Sequence, residues 1–116
     1  MKEVTTEIEY KGKKYTLAFN LNVMEEIQEK YGNLDKWGAK CDPKKGEPDI
    51  KALKFGFTAM LNEGIDMRNS ESNAEPEPFL TPRQVGRIIS ELGMADAKVA
   101  LNDAVVGSTQ SAEKNE

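Results

Sequence analysis

Hydrophobic and polar residues alternate in two short runs near the start of the chain. One face of the first run carries Val4, Thr6, Ile8 and Tyr10, and one face of the second carries Tyr15, Leu17, Phe19 and Leu21. A period of two is typical of half-buried strands, and Gly12 between the runs can adopt the positive φ of a tight turn. The pattern predicts a β-hairpin in which Tyr10 pairs with either Lys13 or Tyr15. Because two strands alone are not stable, the rest of the chain must cover the apolar face.

After the hairpin the apolar residues recur at helical spacing. The predicted helices run from Asn22 to about Tyr31, from Ile50 to Asn62, from Pro82 to Leu92 and from Ala95 to Val106. Their expected buried positions are Val23, Met24, Ile27 and Tyr31; Ile50, Leu53, Phe57, Met60, Leu61 and Ile65; Val85, Ile88, Ile89 and Leu92; and Val99, Ala100, Val106 with either Leu101 or Ala97. Asn22 with Glu25, Asp49, and Thr81 with Gln84 are the predicted N-caps, and Gly32, Gly64 and Gly93 the predicted ends.

The remaining segments are polar. Leu34 to Cys41 forms one or two helical turns in this interpretation, while 42–48 and 66–77 are expected to be exposed loops because they are rich in proline, glycine or charge. Residues 108–116 have no large apolar side chain and are predicted to be disordered. The fold class is therefore α+β and mostly helical, with an N-terminal β-hairpin packed on about four α-helices in one domain over 1–107.

Composition narrows the possible functions. The 116 residues include 16 basic and 20 acidic side chains, which give a net charge of -4 and disfavour nucleic acid and anionic membranes as partners. Histidine is absent, so the commonest general base and metal ligand is missing, and we expect no metal and no cofactor. The single cysteine, Cys41, cannot form an internal disulfide, and the polar start has no apolar signal run, so we expect a protein that remains in the cytoplasm.

Catalysis without histidine could still use a pair of carboxylates, provided that burial or a neighbouring group perturbs their pKa values. The candidates are Glu25, Glu26, Glu29, Glu63 and Glu91, all on the polar side of a predicted helix. Solvated helix faces explain these side chains, so we expect that the protein is not an enzyme. A second class of function is a helix-turn-helix DNA-binding regulator, built from the two helices that meet at Gly93. Asp96 and Asp103 on the helix that would enter the groove disfavour this alternative.

Protein contact is the remaining class of function. Trp37 and Phe79 are aromatic residues outside a regular stripe, and each either anchors a partner or folds back as a lid on the core. The hairpin, with Tyr15 and Phe19, is a further candidate because its edges can accept a strand from another chain. We therefore expect self-association, and partner-binding residues among these four aromatic side chains.

Three segments resemble the tail assembly chaperones of long-tailed, siphophage-type bacteriophages. They are 15–27 (Tyr-Thr-Leu-Ala-Phe-Asn-Leu-Asn-Val-Met-Glu-Glu-Ile) with Gly32 after it, 60–64 (Met-Leu-Asn-Glu-Gly) and 80–86 (Leu-Thr-Pro-Arg-Gln-Val-Gly), in this order within 4–106. The resemblance lies in a hairpin, capped helices and hydrophobic spacing, and includes no active-site motif. The loops at 42–48 and 66–78 are longer than the minimal pattern requires.

The resemblance implies a non-catalytic protein of the infected host cytoplasm that is absent from the mature virion. Such chaperones bind the tape measure protein, keep it soluble and extended, and promote polymerisation of the tail tube around it. Many also occur in a longer frameshifted form that recruits the tail tube protein. The resemblance assigns no binding residue to a particular position.

Overall fold

A computed structural model of the chain describes the backbone of residues 4–114 and the side chains of residues 6–107. The element order is β1 (Val4–Tyr10), β2 (Lys13–Phe19), α1 (Leu21–Tyr31), α2 (Leu34–Cys41), α3 (Ile50–Glu71), α4 (Pro82–Leu92) and α5 (Met94–Lys114). This architecture confirms the predicted α+β, mostly helical fold with an N-terminal hairpin, and α2 is a helix of its own. Within the described residues, no helix combines the length and apolar character of a membrane span.

The hairpin adopts the first of the two predicted registers. Tyr10 pairs with Lys13, Ile8 with Tyr15 and Thr6 with Leu17. Lys11 and Gly12 form the two-residue loop, and both have positive φ, 51° and 78°. Two successive positive φ values are typical of the type I′ turn, whose twist matches that of the flanking strands. Lysine is an unusual residue in this conformation, which glycine and asparagine adopt more readily.

The N-cap of helix α1 lies two residues earlier than predicted. Its N-cap is Asn20, whose side chain accepts a hydrogen bond from the backbone N–H of Val23, so the predicted cap at Asn22 is wrong. Leu21, expected on the inner face of the second strand, is instead the first residue of the helix and is 68% exposed. Gly32 ends α1 at a φ of 95°, as predicted.

Helix α3 does not end at Gly64, and residues 66–71 belong to the helix instead of the predicted loop. Gly64 serves close packing: a Cβ atom there would lie 2.3 Å from the carbonyl oxygen of Thr16 on β2. The same helix approaches α2 at Gly56, where a Cβ atom would lie 2.3 Å from the indole ring of Trp37. Because these two glycines have no Cβ atom, the backbone of α3 lies directly against the backbone of β2 at Gly64 and against the indole ring of Trp37 at Gly56.

The extended segment after α3 is held by two asparagines of that helix. Asn62 donates to the carbonyl oxygen of Leu80 and accepts from its N–H, at 3.1 and 2.8 Å. Asn69 makes the same pair of hydrogen bonds with the backbone of Glu77, at 3.1 and 2.9 Å. An amide side chain offers one donor and one acceptor, so each asparagine satisfies both polar groups of one backbone residue.

Helices α4 and α5 complete the fold. Thr81 and Gln84 form the predicted capping box, and Gly93 ends α4 at a φ of 91°. Helix α5 buries Ala97, Leu101 and Ala104, so both open alternatives for its inner face are occupied, but the predicted inner residue Val99 is 59% exposed. The predicted end at Val106 is too early, because the helix continues to Lys114 through residues that include no proline. The segment predicted to be disordered, 108–116, is therefore helical as far as Lys114, and residues 115 and 116 lie outside the described residues.

One hydrophobic core joins the hairpin to all five helices. Its largest fully buried side chains are Trp37, Phe19, Phe57, Leu17, Ile27, Leu53, Met60, Leu61, Ile65, Ile88, Val23 and Val85. The stripes predicted for α1 and α4 point into this core. Ile50 is the exception in α3: it is the first residue of the helix and is 52% exposed.

Candidate partner-binding surface

Two of the four aromatic residues predicted to bind a partner belong to the core. Trp37 is 2% exposed, and its indole N–H donates to the carbonyl oxygen of Ala52 at 3.0 Å. Phe19 is fully buried. Trp37 thus folds back on the core, as its alternative interpretation has it, and neither side chain offers a surface for an anchor in this conformation.

The other two aromatic residues reach the surface. Tyr15 is half-buried, with the ammonium group of Lys13 5.2 Å from its ring centroid. Phe79 is 58% exposed. It lies in the extended segment between Glu77 and Leu80, the two residues whose backbone is bound by Asn69 and Asn62. The structure does not bring Tyr15, Phe19, Trp37 and Phe79 together into one patch.

A cluster of charges fixes this segment against the hairpin. The carboxylate of Glu77 lies 3.0 Å from Lys13 and 3.4 Å from Arg68. The hydrogen bond from Lys13, followed by the charge of Arg68, holds the pKa of Glu77 below its ordinary value. The cluster is half-exposed, so it positions the segment more than it stabilises the fold.

Sequence analysis missed a groove beside Ile50. It consists of three adjoining depressions that share Ile50, and we call it the Ile50 groove. The first, of about 490 Å³, is lined by Glu26, Lys30, Ile50, Lys51, Lys54, Phe55, Thr58, Ala59, Asn62 and Pro82. The second is lined by Ile50, Leu53, Lys54, Gly86, Ile89, Ser90 and Met94, and the third by Glu47, Pro48, Ile50, Met94, Ala95 and Lys98.

The floor of the Ile50 groove is apolar and its rim is basic. Ile50 and Met94 remain 52% and 36% exposed. Lys30 lies with its ammonium group 4.8 Å from the ring centroid of Phe55, whereas Lys51 and Lys54 form no ion pair or hydrogen bond with a described residue. Positive charge beside an exposed apolar floor is an arrangement suited to an amphipathic ligand with acidic groups.

A second groove lies between α2 and α5. Lys98 and Asp42 form an ion pair of 2.9 Å across it, and Leu34, Leu101 and Val105 contribute apolar side chains. The thiol of Cys41 also lines this groove, and burial raises its pKa to about 12. A neutral thiol is a weak nucleophile, so Cys41 acts here as a packing residue.

The carboxylates considered for catalysis are distributed over the surface of α1, α3 and α4. Glu63 accepts hydrogen bonds from the side chains of Asn20 and Asn22, at 2.7 and 3.1 Å. Partial burial, and then repulsion by Glu63 and the other acidic groups nearby, raises the pKa of Glu26. Among the residues that the structure describes, no cluster of acidic or cysteine side chains could hold a metal ion.

One signal in the sequence could have indicated the Ile50 groove. Lys51, Lys54, Phe55 and Thr58 share one side of α3, opposite the core stripe, and Phe55 is a large apolar residue outside that stripe. An aromatic residue among lysines on the outer face of a helix marks an apolar surface beneath charged side chains.

No protein-family model matches this sequence, and neither the curated proteins nor the solved structures show a significant similarity to it.

Proposed function

We propose that this protein is a non-catalytic phage tail assembly chaperone. In this role it binds the tape measure protein, keeps it soluble and promotes polymerisation of the tail tube around it in the host cytoplasm. The partners are the tape measure protein, further copies of the chain, and the tail tube protein through a longer frameshifted form. The proposal rests on the resemblance of three segments to that family.

One structural observation supports the proposal: the three resembling segments contact one another. Glu63, in the second segment, accepts hydrogen bonds from Asn20 and Asn22 in the first. Asn62, also in the second, pairs with the backbone of Leu80 at the start of the third. The similar residues thus form one contiguous unit at the junction of β2, α1, α3 and α4.

Self-association through the hairpin is part of the proposal, and it concerns one edge. The carbonyl oxygen of Thr16 faces α3 at Gly64, so α3 covers the outer edge of β2. Glu7 and Glu9 on β1 are exposed. A strand from a second copy would therefore pair with β1.

Co-expression with the tape measure protein encoded in the same genome tests the function. We expect the tape measure protein to move from inclusion bodies to the soluble fraction and to co-purify with this chain. A tape measure protein that stays insoluble, or a purified chain that turns over a metabolite, would contradict the proposal.

The DNA-binding alternative gains no support from α5. Among the side chains that the structure describes on α5, the basic residue is Lys98, which is paired with Asp42, and the outward face carries Asp96, Val99 and Asp103. A gel-shift assay at low salt separates the two functions. Tight duplex binding that weakens steeply with added salt would favour the regulator.

A further inference from the structure

We propose that the Ile50 groove binds an amphipathic α-helix of a partner protein, in which acidic residues flank an apolar stripe. This inference rests on the proposed function only in that the occupant is a segment of a polypeptide client. It adds the surface that is used and the chemistry of the segment that is recognised.

The shape of the groove favours an elongated apolar ligand. Ile50 lines all three depressions, Lys54 the first two and Met94 the last two, so the depressions adjoin one another from α1 past α4 to the start of α5. A small molecule would fill one depression. A rod that lies along the floor would cover Ile50 and Met94, which are the large apolar side chains left exposed there.

The walls favour a helix over an extended strand. They come mainly from α1, α3 and α4, and beyond the first turn of each helix the backbone groups are paired within the helix, so the groove offers no long strand-like row of alternating donors and acceptors. An extended segment in this groove would leave its own N–H and C=O groups unpaired. A helix satisfies these groups internally and presents side chains to the floor.

The positive charge on the rim favours a partner helix with acidic side chains. Lys51 and Lys54 lie one turn apart on α3, and Lys30 lies across the first depression on α1. These three lysines stand against Glu26 there, in a chain whose net charge is -4. Glutamates beside the apolar stripe of a partner helix would pair with them, whereas lysines at the same places would be repelled.

The probe for this inference is a peptide helix of about 18 residues, which is roughly 27 Å long. It carries leucines at helical spacing with glutamates on both sides, and its twin carries lysines in place of the glutamates. Fluorescence anisotropy measures the affinity, and amide chemical shifts locate the site. We expect the acidic peptide to shift residues around Ile50, Lys54 and Gly86, and to bind at least about tenfold more tightly than its twin.

Charge reversal tests the role of the rim. The double variant Lys51→Glu with Lys54→Glu should weaken the acidic peptide about tenfold and strengthen the lysine twin. The matched control is Lys14→Glu with Lys45→Glu, which changes the net charge equally at exposed sites outside the groove and should leave both affinities nearly unchanged. Lys51→Glu alone, at an exposed position, should give a smaller loss in the same direction if the double variant unfolds.

Other outcomes would overturn the inference. Equal binding of the two peptides would show a contact without charge selection, and shifts confined to the groove between α2 and α5 would place the site elsewhere. Co-expression separates this inference from the proposed function. A tape measure protein solubilised equally by the wild type and the double variant contradicts the groove alone, while acidic-peptide binding without any solubilisation contradicts the function alone.

Discussion

The two sides of α3 show opposite kinds of packing. On one side, Gly56 and Gly64 bring Trp37 and the backbone of Thr16 so close that a single Cβ atom would not fit. On the other side, Lys51, Lys54 and Phe55 border the open Ile50 groove. The same helix therefore combines a surface that specifies the fold with a surface that remains free for a partner.

A tightly packed side of a helix can support an exposed apolar side. Exposing Ile50 and Met94 to water forgoes part of the free energy that burial would provide. The opposite side compensates through a core that includes Trp37, Phe57 and Met60. We expect substitutions on the closed side to change stability and substitutions on the open side to change binding.

The largest effect is expected at the contact between α3 and β2. Gly64→Ala places a methyl group against the backbone oxygen of Thr16, which cannot rotate away as a side chain could. We expect a loss of about 3 kcal/mol in the free energy of unfolding, measured by urea denaturation. Gly38→Ala in α2 is the matched control, since a Cβ atom there meets nothing within 4 Å. Equal stability of the two variants would contradict the close contact.

The contact between α2 and α3 should respond next. Trp37→Phe removes the hydrogen bond to Ala52 and part of the ring against Gly56, and we expect it to cost about 2 kcal/mol. Gly56→Ala should be similarly damaging alone but less so in the Trp37→Phe background, because the smaller ring leaves room for the methyl group. Strict additivity in this double-mutant cycle would show that the two residues do not share a contact.

A glycine-to-alanine substitution beside the open groove should raise the stability of the protein instead of lowering it. Gly86 lies within α4, and a Cβ atom there would meet only the flexible side chain of Lys54, at 3.5 Å. Gly86→Ala should therefore stabilise the protein by up to about 1 kcal/mol through helix propensity. Thermal unfolding monitored by circular dichroism measures the gain. A lower Tm than that of the wild type would indicate that this side of α3 is as closely packed as the other.

The smallest effect is expected at Glu77, whose carboxylate links the segment after α3 to the hairpin. Its pKa is lowered from 4.5 in the folded state, so its contribution to stability is present above that pH and is lost as the pH falls through the folded pKa. Glu77→Gln should cost under about 1 kcal/mol at pH 7, because the ion pairs are half-exposed. The difference from the wild type should shrink in denaturation curves below pH 4.5. A difference in stability that grows below this pH would contradict the lowered pKa of Glu77.

Sequence reasoning succeeded where one residue type has one local meaning. Alternation fixed the face of the hairpin, and the sequence Thr81-Pro82-Arg83-Gln84 predicted the capping box at the start of α4. It failed where a residue has two meanings. Gly64 resembles a helix end but provides close packing. Asn20 and Asn22 are both suitable N-caps and both donate to Glu63, but only Asn20 caps the helix.

The candidate site was harder to predict than the fold. Exposed aromatic residues were the guide, but Trp37 and Phe19 are in the core because helices distant in sequence cover them. The lysines around Phe55 indicate an apolar surface on the outer side of α3, but the Ile50 groove also depends on the relative positions of α1, α3 and α4, which no local pattern specifies. Ile50 was assigned to the core because its spacing matches the stripe, yet as the first residue of α3 it extends beyond the elements that cover that stripe.

Asn62 and Asn69, which bind the backbone of the extended segment after α3, limit how the sequence can vary. Aspartate at position 62 or 69 would lose the donor, and leucine would lose both partners of a backbone residue, whereas the aliphatic core positions tolerate exchange among residues of similar volume. We therefore expect the residues of the apolar stripe of α3 to change during evolution more readily than Asn62 and Asn69. Homologues too distant to align by hydropathy should still be traceable by two asparagines, two helical turns apart, ahead of an extended stretch.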